Sequence, residues 1–202
     1  MTALRLAAIV EGHGEMEAVP ILVRRVALEL DPGLVPRVDP VLRVPASRLL
    51  KAGELERTVE FAARKLQGQG GILVLVDCDW DGGCPAHEGP ELLSRARSAR
   101  PDLPIAVVLA KKEYEAWFLA AAESLRGHRR LSEDLMPPPQ PEEIRGAKGW
   151  LSRHMPKGAR YSPTLDQPAL TAFFDIHTAR QADSFDKFYR EMIRLLTMLQ
   201  ST

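Results

Sequence analysis

Short apolar runs alternate with amphipathic stretches through the first half of the chain. Four apolar runs predict strands, and they span residues 4–10, 38–44, 72–76 and 105–109. Pro40 interrupts the second run and predicts an edge position for that strand, because proline cannot donate to a hydrogen-bond ladder. Apolar residues at helical spacing lie between the strands, on two faces: Val19, Leu22, Val23, Val26 and Leu30, then Leu55, Val59, Ala62 and Leu66. This alternation predicts βαβ units and a parallel α/β sheet.

Two more helices are expected near the third and fourth strands. A short one would cover residues 91–97, and a longer one would cover residues 113–125. The longer segment is apolar nearly all round, which predicts burial of the whole helix, with Trp117 and Phe118 in the core. Pro20 is expected in the first turn of its helix, where a missing N–H costs nothing. The predicted order is β-α-β-α-β-α-β-α.

The pattern changes after the fourth helix, where a basic run precedes the proline-rich stretch PPPQP. Such a stretch is extended and stiff. We therefore expect an α/β domain over residues 1–130, followed over residues 131–202 by a proline-rich linker and a helical extension packed on it. Asp166 with Pro168 predicts a helix through Phe174. Ser184 predicts the cap of a last helix, whose apolar face contains Phe185, Phe188, Met192, Leu195 and Leu199.

The composition narrows the classes of protein. The 27 Lys and Arg residues are balanced by 27 Asp and Glu residues, which excludes a generally basic nucleic-acid-binding protein. No apolar run approaches the roughly 18 residues needed to span a bilayer, and the amino-terminal residues lack the pattern of a signal peptide. The two cysteines are too few for a disulfide framework. We expect a cytoplasmic protein without a membrane segment.

Acidic residues follow two of the predicted strands, in EGHGE after the first and DCDWD after the third. Loops at the carboxyl ends of parallel strands face one crevice, so these turns should meet. Carboxylates crowded together repel, and the usual remedies are protonation or a divalent cation; hard oxygen ligands favour Mg²⁺ or Mn²⁺, with Ca²⁺ as an alternative. Glu11, Asp77 and Asp79 are the expected ligands. Glu15 and Asp81 are further candidates from the same two turns.

Glycines and a lysine complete the expected site. Gly12 and Gly14 would let the backbone turn sharply and leave room for a phosphate group near the start of the following helix. Lys112 follows the fourth strand, where a lysine would stabilise charge that develops on a phosphate. Glu115 is a candidate catalytic acid in the first turn of the next helix, although acidic residues there also favour the helix dipole.

Two other kinds of site fit part of the third-strand motif. DCDWDGGCPAHE matches the calcium-loop pattern with Glu88 at the twelfth position, but an EF-hand loop needs a helix before it, and a strand is predicted there. A strand that ends in two alternate aspartates is also typical of aspartyl-phosphate phosphohydrolases. Such phosphohydrolases also need a second pair of acidic residues at the end of a later strand, and this sequence shows no such pair.

The two motifs together resemble the Toprim domain of topoisomerases, primases and the overcoming-lysogenization-defect nucleases. The carrying residues are Glu11 after the first strand, Asp77 and Asp79 after the third, and Glu15 as the second acid of a glutamate-glycine-x-x-glutamate spacing. More narrowly, the chain resembles a bacterial Toprim-like family, domain of unknown function 4276, through IVEGHGEMEAVPILVRR, LVDCDWDGGCP, AKKEYEAWFLAA, GAKGWL, DQPAL and SFDKFYR. This resemblance spans nearly the whole chain.

The resemblance implies a Toprim-like, Rossmann-like fold and a Mg²⁺- or Mn²⁺-dependent nuclease. In such proteins the strand-end glutamate, here Glu11, is thought to transfer protons, and the paired aspartates, here Asp77 and Asp79, hold metal. DNA or RNA is the implied substrate, and an AAA-type ATPase in bacterial phage defence is the implied partner. A non-catalytic metal-binding module that serves such a partner is the alternative, which the balanced charge favours.

Overall fold

The computed structural model describes residues 4–201 of the chain. The strands are β1 (Arg5–Val10), β2 (Arg37–Arg43), β3 (Gly71–Cys78) and β4 (Ile105–Lys111). The α-helices are α1 (Glu15–Leu30), α2 (Ala46–Leu49), α3 (Glu54–Lys65), α4 (Pro85–Ala99), α5 (Ala116–Ala120), α6 (Ala147–Arg153), α7 (Pro163–Thr171), α8 (Ile176–Ala179) and α9 (Asp183–Gln200). Short 3₁₀ turns lie at Ala122–Leu125, His128–Arg130 and Pro141–Glu143.

The four strands form one parallel sheet in the order β2-β1-β3-β4. This confirms the predicted α/β class and the edge position of the strand that contains Pro40. The pairing of β1 with β2 shifts by one residue between Leu6 and Ala8, beside Pro40. A bulge there fits a proline, which has no N–H to donate. The central pair β1 and β3 brings the ends of both predicted acidic turns to the same edge of the sheet.

Helices cover both faces of the sheet. Helices α3 and α4 pack on one face, over side chains such as Ile72, Val74 and Val107. Helices α1 and α9 pack on the other face, with the aromatic residues of α5. Trp117 and Phe118 are fully buried, which confirms their prediction as core residues. Burial of both faces explains why β1 and β3 are continuously apolar rather than alternating.

The carboxyl-terminal helices share a core with the α/β part. Helix α7 packs against α1, and α9 packs along β4. Apolar residues from before and after residue 131 belong to one cluster on that face of the sheet. Among residues 4–201, no helix is both long and apolar enough to cross a membrane.

The predicted helix over residues 113–125 is wrong in its extent. Only Ala116–Ala120 is α-helical, and a 3₁₀ turn follows at Ala122–Leu125. The start is delayed because Lys112 adopts a left-handed conformation (φ 68°) and the Tyr114 amide donates to Asp77 Oδ1 at 2.8 Å. Tertiary contacts therefore replace the first turn of the expected helix.

Other helix boundaries also differ from their predictions. Helix α4 extends beyond the expected residues 91–97 because Pro85 suits the first position of a helix. Pro20 lies inside α1 rather than in its first turn, since that helix begins at Glu15. Helix α7 begins at Pro163, before Asp166, and it ends at Thr171.

Ser184 is not the cap of the last helix. Helix α9 begins at Asp183, with Ala182 before it, and Ser184 is buried in its first turn. The hydroxyl accepts hydrogen bonds from Trp117 Nε1 at 2.9 Å and from the Lys111 amide at 3.1 Å, and it also contacts Glu142. Ser184 thus ties α9 to the end of β4.

Candidate functional site

Glu11 follows the last residue of β1 and is only partly exposed. Its Oε1 accepts a hydrogen bond from the Ala46 amide at 3.2 Å. Its Oε2 is buried and has no hydrogen-bond partner within residues 4–201. Burial raises the pKa of Glu11, and the negative charge of Asp79 raises it further, against the lowering effect of the Ala46 amide. The carboxylate is therefore short of positive charge.

Glu15 is the first residue of α1 and is buried. Its Oε2 accepts hydrogen bonds from the Glu11 amide at 3.0 Å and the Gly12 amide at 3.3 Å, so it fixes the loop between β1 and α1. Burial raises the pKa of Glu15 to about 7, and the charges of Glu115 and Glu11 act in the same direction. This buried side chain therefore holds the backbone of the loop in place rather than facing solvent.

Asp77 lies within β3 near its carboxyl end and is buried. Its Oδ1 accepts the hydrogen bond from the Tyr114 amide. Burial raises the pKa of Asp77 well above its ordinary value, and the charges of Glu15 and Glu115 add to this effect. The charge of Glu11 also acts on Asp77, so the two predicted ligands interact electrostatically.

Glu115 directly precedes α5, and its side chain is buried. Its Oε1 accepts a hydrogen bond from the Tyr161 hydroxyl at 3.0 Å. Its Oε2 lies 3.0 Å from Lys148 Nζ as an ion pair, although the direction does not suit a hydrogen bond. Burial raises the pKa of Glu115 despite the opposing charge of Lys148.

Lys148 is the cation of this cluster, and the predictions missed it. It comes from α6, and its Nζ also donates to Glu113 Oε2 at 3.0 Å. Burial lowers the pKa of Lys148, but the charges of Glu115, Asp77 and Glu113 outweigh that effect and leave the pKa raised. The only sequence signal was its place in GAKGWL, a segment that carries the family resemblance without a local chemical pattern.

The other predicted residues lie at the rim of the cluster or away from it. Asp79 follows β3 and is exposed, with its charge acting on Glu11. Asp81 has a side chain that is 96% exposed and lies 3.6 Å from Arg145 Nη2. The positive charge of Lys112 acts to lower the pKa of Cys78 and of Glu143, neither of which belongs to the carboxylate cluster. Asp79 therefore stays beside the cluster, whereas Asp81 extends into solvent.

The two glycines lie in the turn between β1 and α1, where other groups pack closely against them. Neither Gly12 nor Gly14 has a positive φ, and Gly14 is helical in conformation (φ −66°, ψ −35°). A Cβ on Gly14 would overlap Gln167 Oε1 and the Pro163 carbonyl at the start of α7. The chain turns here as predicted, but without a positive φ, and the space beside Gly14 that was expected to hold a phosphate is filled by protein.

These residues form a buried cluster with more carboxylates than cations. Glu11, Glu15, Asp77 and Glu115 interact through their charges, and Lys148 is the cation that acts on three of them. Among side chains of residues 4–201, the buried oxygens that lack a hydrogen bond are Glu11 Oε2 and Glu115 Oε2, both in this cluster. In the same residues, no group of three His, Cys, Asp or Glu side chains is arranged to hold a metal ion.

Comparison with known proteins gives one match. A family model described as a domain of unknown function, DUF4276, matches residues 10–193. No curated protein matches the chain, and no solved structure matches it either. The matched segment runs from the last residue of β1 into α9, so it includes the whole carboxylate cluster and Lys148. The chain belongs to the DUF4276 family.

Proposed function

We propose that this protein is a divalent-metal-dependent enzyme that cleaves phosphodiester bonds in DNA or RNA. The observation that carries the proposal is the excess of buried carboxylates at the carboxyl ends of β1, β3 and β4. Glu11 Oε2 is buried there without a hydrogen bond, whereas Glu115 Oε2 is already paired with Lys148, and the neighbouring Glu15 and Asp77 have raised pKa values. A cation is the partner that such a cluster needs.

The chemistry of the donors fits a hard cation. Carboxylate oxygens are the ligands that Mg²⁺ and Mn²⁺ prefer, and Ca²⁺ takes the same type of ligand. Glu11 offers the unpartnered Oε2, and Asp79 offers an exposed carboxylate whose charge already acts on Glu11. Glu11 and Asp79 would hold the metal, and Asp77 would be the third ligand that the Toprim resemblance implies, although within residues 4–201 the three side chains do not already surround one point. When bound, such a metal activates water and stabilises the leaving oxygen of a phosphodiester.

Residues of the chain itself supply the remaining functions. Glu11 would accept a proton, the role that the Toprim resemblance implies for the strand-end glutamate, through the Oε2 that has no hydrogen-bond partner within residues 4–201. Lys148, with a side chain that is 42% exposed, would meet a negatively charged phosphate oxygen while it holds Glu115. Lys148 thus takes the electrostatic role that the sequence assigned to Lys112.

The proposed activity agrees with the Toprim resemblance, and the proposal also takes over the partner that this resemblance implies. A Toprim relationship would place Glu11 at the end of the first strand and the two aspartates at the end of the third. It would also suggest an AAA-type ATPase as a partner in bacterial defence. These are proposals from resemblance, and the carboxylate cluster stands independently of them.

The test is Asp79→Asn, which removes a charge from an exposed position and should leave the fold intact. We expect purified protein to nick supercoiled plasmid DNA or cut RNA in Mn²⁺ and to stop when chelator is added. Replacing a residue that only hydrogen-bonds to a metal ligand typically lowers activity by about 10- to 100-fold. Loss of the ligand itself should lower the cleavage rate by more than that. Glu91→Gln is the matched control, because Glu91 is exposed on α4. Undiminished cleavage by Asp79→Asn would contradict the proposed metal site.

A second candidate is a non-catalytic module that binds metal and serves a partner. One observation favours it: the 27 Lys and Arg residues are balanced by 27 Asp and Glu residues, whereas a nuclease needs positive charge to meet its substrate. Calorimetry separates the two candidates. Mn²⁺ binding that Asp79→Asn abolishes, without cleavage of DNA, RNA or a model phosphodiester, would favour the module.

The aspartyl-phosphate alternative is less well supported. It needs a first aspartate that a phosphate can reach for attack. Asp77 is buried, and its Oδ1 is held by the Tyr114 amide. The calcium-loop alternative fails for another reason, since the motif follows strand β3 rather than a helix.

A further inference from the structure

Among the described strands, β4 is last in the sheet order, so no strand formed by residues 4–201 covers its outer edge. Two hydrogen bonds show which backbone groups of β4 face β3. The Ile72 amide donates to the Pro104 carbonyl, and the Lys112 amide donates to the Cys78 carbonyl. Even-numbered residues of β4 therefore pair with β3. The amides and carbonyls of the odd-numbered residues therefore point away from β3.

The outward groups of β4 are mostly unpaired. The Lys111 amide points outward and donates to Ser184 Oγ, which agrees with this phase. Within residues 4–201, neither Val107 nor Leu109 has an outward hydrogen-bond partner. An open edge of this kind is a template for another extended chain.

A groove follows this edge between α4 and α9. Two cavities lie in line along β4, one of about 520 Å³ beside Val107–Lys111 and one of about 440 Å³ beside Ile105 and Ala106. Both are walled by α4 and α9. The seven residues of β4 extend over about 23 Å at about 3.3 Å per residue. The groove is therefore as long as a strand.

The two ends of the groove differ in chemistry. Beside the carboxyl-terminal half of β4, the α4 wall is apolar and includes Pro90 and Leu93, whereas the α9 wall carries Asp183 and Lys187. Beside the amino-terminal half, Arg97 of α4 and Arg194 of α9 line the same cavity. Arg97 forms no ion pair with any residue from 4 to 201, and Arg194 has a distant one, 3.9 Å from Glu191. Asp102 and Glu191 also line this cavity, but each has a closer partner, since Asp102 lies 2.6 Å from Arg100 and Glu191 lies 2.7 Å from Lys187. The two arginines on facing walls therefore favour a carboxylate between them.

We propose that the outer edge of β4 binds an extended segment of a partner protein, which adds to the sheet as a fifth strand. Its backbone would pair with the outward groups of Val107 and Leu109. Its apolar side chains would lie beside Leu93, and an acidic side chain would lie between Arg97 and Arg194. Backbone pairing gives affinity in this mode of recognition, and side-chain pockets give specificity.

A second copy of this chain fits the groove poorly. Paired strands lie only about 4.8 Å apart. Strand β4 is recessed, since residues Ile105–Leu109 are at most 4% exposed. Another β4 would be recessed behind its own α4 and α9, so the helices would meet before the strands could pair. A segment without flanking helices can enter.

The probe is a fluorescein-labelled seven-residue peptide of alternating valine and threonine with two glutamates at one end. A second peptide carries the glutamates at the other end, because the groove admits either strand direction. We expect one of them to bind in fluorescence anisotropy and to slow hydrogen exchange of the Val107 and Leu109 amides. Methylating two backbone amides on the pairing edge should weaken binding about 30-fold, at about 1 kcal/mol for each lost hydrogen bond.

The matched variants change only exposed arginines. Arg97→Gln with Arg194→Gln should weaken binding about 5- to 10-fold, because each rim charge contributes up to about 1 kcal/mol. Arg153→Gln with Arg160→Gln is the control, since both arginines are exposed elsewhere and should leave binding unchanged.

Three results would overturn the proposal. One is failure of both peptides to bind at millimolar concentration. Another is equal binding of the methylated peptide, which would indicate a pocket for side chains without strand addition. The third is protection of the Val107 and Leu109 amides in the protein alone, together with a dimer in light scattering, which would assign the edge to a second copy. None of these results bears on the metal site, which is tested separately at Asp79.

Discussion

Replacing Lys148 by methionine tests how the carboxylate cluster is stabilised. Lys148 Nζ lies 3.0 Å from both Glu113 Oε2 and Glu115 Oε2, and Glu115 is fully buried. Without the ammonium, the Glu115 carboxylate keeps the hydrogen bond from Tyr161 and has lost its ion pair. Breaking a buried ion pair costs about 3–5 kcal/mol. Because the Lys148 side chain is 42% exposed, water screens the pair, and we expect about 1–3 kcal/mol.

A double-mutant cycle with Glu115→Gln isolates the electrostatic part. Glutamine keeps an oxygen for the Tyr161 hydroxyl and carries no charge, so Lys148→Met should cost about 1–2 kcal/mol less in that background. The assay is urea unfolding followed by circular dichroism at pH 8 and at pH 5, in chelator. Lys157→Met is the control, because Lys157 is exposed in a loop and its loss should change stability little.

The pH dependence has a definite sign. Burial raises the pKa of Glu115 above its ordinary value of 4.5, so the folded protein binds this proton more tightly than the unfolded chain does. The contribution of Glu115 to stability is therefore full below pH 4.5 and is lost as the pH rises through its folded pKa. The ammonium limits that loss. The cost of Lys148→Met should thus be larger at pH 8 than at pH 5. An equal cost at both pH values, with no coupling to Glu115→Gln, would refute the electrostatic reasoning.

Two further predictions concern the loop before α1. Burial raises the pKa of Glu15 from 4.5 to about 7. In chelator, the free energy of unfolding of the wild-type protein should therefore fall by up to about 3 kcal/mol relative to Glu15→Gln as the pH rises from 4.5 to above 7. A constant difference between the two proteins in urea titrations would show that Glu15 does not titrate in this window. Gly14→Ala should destabilise the fold by about 1–3 kcal/mol or more, because the new Cβ would overlap Gln167 and Pro163. Gly89→Ala lies in open space within α4 and should stabilise the fold by about 0.5–1 kcal/mol. Similar melting temperatures for the two variants would contradict this packing.

Patterns within single elements determined much of this protein. Four apolar runs became the four strands, and Pro40 placed one of them at an edge. The apolar face predicted from Phe185 to Leu199 is the buried face of α9. The topology of a parallel sheet then places Glu11 and Asp77 at the same edge. These features depend on periodicity and on strand ends, which are properties of neighbouring residues.

Contacts between distant residues were decided only by the tertiary structure. Lys148 reaches Glu113 across 35 positions of sequence, and Tyr161 reaches Glu115 across 46. Nothing local distinguishes that lysine from a solvated one. The tight packing at Gly14 and the open edge of β4 likewise arise where separate elements meet. Periodicity reports which face of an element is buried, but the partner on that face depends on the path of the whole chain.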